Sequence, residues 1–400
     1  MRRFAWLVLF LPQLVAAGPA PVVGGENATP GKWPDVAAVL FGGQQECTGT
    51  LIAPTVVITA GHCNDASLDS VLLGTTSLAR PAEGETITVQ KRAEYPASQS
   101  SEDVTVLVLS KAAAEAPRPI ATGWARLDIA NGAAVEFVGY GAIDKNGNNY
   151  IDELQQAQST ITDFDCSTSS GCNAAAKPAG ELGAGGMGID TCSGDSGGPM
   201  YLLTDYGTFL AGVTSRSYDN ATNPCGEGGI YERPDKIVDW IEAQAGVNVM
   251  RGPEPTADAL TAVRGGDAES VITPNDPKST DHTFSITTPP AHGTAKVRGD
   301  GRVRVCTDAA SSGDDSVGVT ITDANNGGRA VAITIPITFA DGGAPGACDV
   351  NAFSVDESGG CCDAGRSASG TLPLALGVLL VLRRRRDRVG SGRGRNLAEV

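Results

Sequence analysis

Glycine and proline cut this chain into short pieces, and that constrains its fold more than any other feature. Of its 400 residues, 51 are Gly and 23 are Pro. Between them lie brief runs rich in Val, Ile and Thr, bounded by turn formers, as in all-β chains. Over residues 22–250 these runs predict strands at Asp35–Leu40, Thr55–Thr59, Thr86–Lys91, Val104–Leu109, Ala134–Val138, Gln156–Thr162 and Phe209–Thr214. A helix is expected over Lys236–Ala245, where Ile237, Trp240 and Ile241 share one face and Gly246 follows. Residues 251–256, with Pro253 and Pro255, read as a linker. A second strand-rich stretch, 257–345, has expected strands at Thr283–Ile286, Gly293–Val297, Val303–Val305, Ser316–Thr322 and Ala330–Phe339.

The length suits two or three domains, and a 41% apolar fraction is enough to build their cores. A net charge of −16 argues against a nucleic-acid binder, which needs a basic face. The charge is uneven. The last 18 residues hold seven Arg against one Asp and one Glu.

Both ends carry targeting patterns. Arg2 and Arg3, the apolar Phe4–Phe10 and the small Ala16–Ala17 predict a signal peptide over 1–17, leaving 18–21 as a short propeptide. Export places the ten cysteines in an oxidising compartment, where they read as disulfides. Residues 346–370 read as a flexible segment containing Gly359–Gly–Cys–Cys362. In 371–400, the apolar run Thr371–Leu382 precedes Arg383–Arg386. The run is shorter than the roughly 20 residues of a spanning helix, and the arginines would stay on the cytoplasmic side. This layout resembles the tripartite C-terminal sorting tails of exported bacterial proteins, in the Cys-containing form known from myxobacteria. The resemblance implies sorting machinery as a partner and retention at the cell surface; a plain membrane anchor is the alternative.

The chemistry is concentrated in three motifs. Cys192–Ser–Gly–Asp–Ser–Gly–Gly–Pro199 sets Ser196 among glycines, so that its own amide and that of Gly194 can point into one oxyanion pocket. A serine hydroxyl needs a base, and Thr59–Ala–Gly–His–Cys63 supplies His62. The imidazole needs a carboxylate to fix its tautomer, and Asp103 precedes an apolar strand that can bury it. His282 and His292, the other two histidines, have no such serine nearby and read as loop residues.

The order His, Asp, Ser, together with Val22–Val–Gly–Gly25, Gly194–Asp–Ser–Gly–Gly–Pro199 and the terminal Val238–Asp–Trp–Ile241, resembles the trypsin-like serine proteases of the chymotrypsin fold over 22–246. That resemblance implies two six-stranded β-barrels with a C-terminal helix, and protein or peptide substrates. His62 would be the general base, Asp103 its orienting partner and Ser196 the nucleophile. Gly194 and Ser196 would form the oxyanion hole. Asp195 would pair with a freed Val22 amine as an activation switch. Asp190, with Ser215, Ser217 and Gly229 around it, would bind a substrate Arg or Lys. Disulfides are implied at Cys47–Cys63 and Cys192–Cys225. Cys166 with Cys172 and Cys306 with Cys348 are further candidate pairs.

The chain departs from the family pattern in two places. Pro21 is not the Lys or Arg after which a trypsin-type activator cuts, so freeing Val22 requires a different activating protease or trimming of 18–21. The usual Ser-Trp-Gly of the pocket wall is Ser215–Arg–Ser217, which suggests that Arg216 favours acidic residues near the cleavage site. No cofactor is expected. Asp144–Gln155 mimics part of a Ca²⁺ loop, but Asn149 and Gln155 stand where Gly and Glu belong, and a polar surface loop fits better. Residues 257–345 resemble cadherin-like or bacterial immunoglobulin-like sandwiches, and a spacer role is expected. A catalytically inactive homologue acting as a surface adhesin is the rival to the exported endopeptidase.

Overall fold

A computed structural model describes residues 21–96, 103–173, 180–341 and 348–354. The expected signal peptide, most of the propeptide, and the sorting motif with its apolar and basic tail lie outside them. The first barrel closes from β2 (Val36–Phe41), β3 (Gln44–Ala53), β4 (Val56–Thr59), β5 (Leu68–Leu73), β6 (Glu85–Glu94) and β7 (Thr105–Leu109), in the order β2-β3-β4-β7-β6-β5. Alternation along β2 serves two cores, because successive strand side chains face opposite ways. Ala37, Val39 and Phe41 fill this barrel with Leu51, Val57, Leu73 and Leu107. Val36, Ala38 and Leu40 join Tyr140, Tyr201, Leu210 and Val213 between the barrels.

The second barrel uses β8 (Ala134–Gly139), β9 (Gln155–Asp163), β10 (Glu181–Ala184), β11 (Pro199–Thr204), β12 (Gly207–Ser217) and β13 (Gly229–Glu232). It closes because β8 pairs with both β9 and β11, while the two-residue β1 (Glu26–Asn27) adds to β9. Phe137, Ile161, Leu182, Met200 and Tyr231 fill it. The C-terminal helix is Val238–Ala245, two residues shorter than expected because Pro234–Lys236 forms a separate 3₁₀ turn first. Gly246 ends it in the left-handed conformation at φ 72°.

The third part packs a four-stranded sheet, β14 (Leu260–Val263), β20 (Ala330–Ala340), β19 (Asp315–Asp323) and β16 (His282–Thr288), on β15 (Asp267–Val271), β18 (Arg302–Thr307) and β17 (Gly293–Val297). Its core of Val303, Val305, Val319, Ile321 and Ile335 includes the fully buried Trp124 from between the barrels. The Trp124 indole donates to the Pro274 carbonyl at 2.7 Å, and Asp128 binds both Lys278 and Arg329. Residues 251–256 are packed rather than free: the amides of Trp124 and Gly252 bond to the Pro253 and Ile120 carbonyls respectively. Among the described residues, no helix is long and apolar enough to cross a membrane.

Candidate active site

The register of the first barrel builds half of the site. Thr59, the last residue of β4, lies opposite Thr105, the first of β7. His62 follows β4 on the 3₁₀ turn Gly61–Cys63, and Asp103 precedes β7, so the two loops meet at one barrel end. His62 Nδ1 and Asp103 Oδ2 are 2.7 Å apart, and the His62 amide donates to Oδ1 at 2.7 Å. The Ser215 hydroxyl donates to Oδ2 at 2.7 Å. The Asp103 hydrogen bond holds the His62 imidazolium above its ordinary value, against partial desolvation. Burial works to raise the Asp103 carboxyl, but bonds from His62 and Ser215 outweigh it, and the carboxyl lies below its usual value.

The serine segment is sewn to the first barrel by its backbone. The Thr48 amide donates to the Ser196 carbonyl at 2.9 Å, and the Gly197 amide to the Thr214 carbonyl at 2.8 Å. Gly197, at φ 78°, passes so close to the histidine loop that a Cβ would lie 2.0 Å from Thr59 Oγ1. Only glycine fits there. The Gly194 carbonyl is drawn away by Gln45 Nε2 and Thr48 Oγ1 at 3.0 and 2.8 Å. Among the described residues, no acceptor takes the Gly194 or Ser196 amide.

Beside Ser196 opens a cavity of about 140 Å³, lined by Asp190, Ser215, Arg216, Ser217, Gly229 and the Cys192–Cys225 disulfide among others. Asp190 is 1% exposed. Its Oδ2 accepts the amides of Gly226 and Gly228, both at 3.0 Å, whereas Oδ1 is buried without a hydrogen-bond partner among the described residues. Burial raises this carboxyl to about 6 despite those amides. Gly229 keeps the approach open, since a Cβ there would stand 3.4 Å from Oδ1.

Behind the cavity, Asp195 is wholly buried. Its oxygens accept the Gly141 and Cys192 amides at 2.7 and 2.9 Å, with no ion-pair partner among the described residues. Burial raises it to about 7. Gly139 and Gly141 make room for it, as a Cβ at either would collide with the carboxyl group. Val22 is fully buried in the second-barrel core, and the Val23 carbonyl accepts the Asp190 amide at 3.1 Å. Val22 has φ 34°, a strained value for a β-branched residue.

Disulfides also join Cys47–Cys63, Cys166–Cys172 and Cys306–Cys348. In the segment that mimics a Ca²⁺ loop, Asp144 Oδ1 is taken by the amides of Asn148 and Asn149. At the cavity wall the Arg216 guanidinium is already engaged. It binds Glu181 through two bonds of 2.8 and 2.9 Å. Sequence reasoning missed Glu181 and Glu232, which β10 and β13 set opposite each other.

Comparison with known proteins accords with this geometry. The family model Trypsin matches residues 22–241, and the model for a bacterial Ig domain matches 252–336. A protein named Trypsin from Saccharopolyspora erythraea is 33% identical over 239 residues, 56% of this chain and 97% of that protein. Brachyurin from Leptuca pugilator is 29% identical over 56% of this chain and 99% of its own length. The chain belongs to the trypsin family. Human Serine protease 56 is 30% identical, and this trypsin-family chain spans only 40% of its length. A solved structure of mouse neuropsin, titled a serine protease, superposes with a TM-score of 0.47 at 26% identity, over 55% of this chain and 97% of that one. A bacterial Ig-like domain follows the trypsin-family domain.

Proposed function

We propose that the chain is an exported serine endopeptidase that cleaves peptide bonds after Arg or Lys. The observation that carries this reading is the unpartnered, buried Asp190 Oδ1 at a cavity that Ser196 also lines. A substrate guanidinium or ammonium supplies the missing cation, and ion-pair hydrogen bonds of that kind are among the strongest available. Ser196 Oγ attacks the scissile carbonyl as His62 Nε2 takes its proton. Asp103 holds the Nδ1 proton and stabilises the imidazolium. The free amides of Gly194 and Ser196 receive the oxyanion. His62 then protonates the leaving amine, and water repeats the sequence to release the acid. Ser217 and Gly229 border the bound side chain, whereas Ser215 serves chiefly as a donor to Asp103.

Activation requires a freed Val22 amine, which would give Asp195 its cation. A buried carboxylate left without a partner is unfavourable by several kcal/mol. An activating protease that tolerates Pro21 is therefore an expected partner. The terminal Cys-Cys tail would be read by sorting machinery and leave the enzyme at the cell surface.

The test offers Arg, Lys and Phe peptide substrates to the chain cut before Val22. Arg and Lys peptides should be hydrolysed, and Ser196→Ala should lower turnover at least ~10⁴-fold. Faster cleavage of Phe substrates would overturn the specificity. Absence of any Ser196-dependent hydrolysis would favour a non-catalytic surface adhesin instead.

A further inference from the structure

We propose that Arg216 is a positioning residue for the His62–Asp103 pair, acting through the Ser215 hydroxyl; the role rests on the protease reading above. Arg216 Nη1 donates to Ser215 Oγ at 3.2 Å, and Ser215 Oγ donates to Asp103 Oδ2 at 2.7 Å. A guanidinium can only donate, so the serine oxygen must accept from it. Its single hydrogen is then committed to Asp103. A freely rotating hydroxyl could turn elsewhere, and Arg216 removes that freedom.

The guanidinium is itself held on several sides. Nη1 and Nη2 each donate to one oxygen of Glu181, at 2.8 and 2.9 Å. Nη2 also donates to the Gly171 carbonyl at 2.8 Å, in the loop closed by Cys166–Cys172. Glu232 Oε1 lies 3.8 Å from Nη1. Both carboxyls are buried, at 1% and 2% exposure. Burial, and then the Glu181 charge, raise the Glu232 carboxyl above the usual carboxylate range.

The three histidines of the chain, His62, His282 and His292, make a direct reading possible. Their ring protons are titrated by NMR in the full chain cut before Val22 and carrying Ser196→Ala, so the result does not depend on activity. Arg216→Met alone would strand a buried carboxylate, so the main variant is Arg216→Met with Glu181→Gln, which removes both charges together. Once Ser215 can turn away, Asp103 loses a donor and holds the imidazolium proton more tightly. The His62 midpoint should rise by about half a pH unit or more. Arg216→Lys cannot serve Glu181, Gly171 and Ser215 together, and should move it the same way by less. In a Ser215→Ala background both changes should vanish. A His62 midpoint that stays put in these variants, or an equal rise without Ser215, overturns the proposal. Loss of Ser196-dependent hydrolysis by the parent chain would instead overturn the protease reading.

Discussion

The His62–Asp103 pair, with His62 exposed and Asp103 half-buried, and the buried carboxylates Asp190 and Asp195 lie in the same domain and behave in opposite ways. Asp103 has His62 and Ser215 on its oxygens and lies below its ordinary pKa. Among the described residues, Asp190 and Asp195 have only backbone amides, and they are raised to about 6 and about 7. Loss of solvent pushes all three carboxyls upward; the partner differs. The His62–Asp103 pair is complete in the folded chain. On the proposed function, the other two carboxylates await cations, one on a substrate and one on a new chain end.

The largest effect should come from Asp190. Changing it to Ser removes the acceptor for a basic side chain, and kcat/KM for Arg and Lys peptides should fall by about 10³-fold or more. The same change should stabilise the unliganded chain near pH 8, since a buried, half-satisfied carboxylate disappears. Denaturant unfolding reads that gain, and a loss of stability instead would break the comparison.

A smaller effect sharpens the contrast through pH. A carboxyl raised in the folded state binds its proton more tightly there than in the unfolded chain. Its contribution is therefore full below the unfolded value of about 4. For Asp190 and Asp195 it is lost as pH rises through about 6 and about 7. Asp103 has the opposite sign: its contribution is present above about 4 and fades as pH falls below that. Unfolding curves at a series of pH values for Asp195→Asn and for the parent chain, both with Val22 still joined to Pro21, should converge near pH 4 and separate by pH 8. The variant should be the more stable of the two at pH 8.

The sequence made the catalytic groups legible because each lies in a motif whose backbone has a job. Gly197 must be Gly to pass Thr59, and that constraint shows in the string Gly194–Asp–Ser–Gly–Gly–Pro199. β4, β6 and β7 announced themselves by β-branched runs. β10 and β13 did not: each has four residues and includes Gly. Their pairing is what sets Glu181 against Glu232 beneath Arg216. No local pattern marks two distant glutamates as neighbours, so the ion pair that engages Arg216 was not foreseen. Trp124 was hidden for a similar reason. It belongs in sequence to the segment joining the barrels, yet it packs in the core of the Ig-like domain, which is therefore docked and not merely appended.

The central claim is that Asp195 is a carboxylate waiting for the Val22 amine. Its titration can be followed by carbon NMR in the full chain carrying Pro21→Arg, before and after added trypsin cuts at that residue. Before cutting, Asp195 should titrate near 7. After cutting, the paired amine should draw it below the ordinary carboxylate range, and Ser196-dependent hydrolysis should appear with it. An Asp195 titration unmoved by the new chain end, with full activity already present before the cut, would contradict the account.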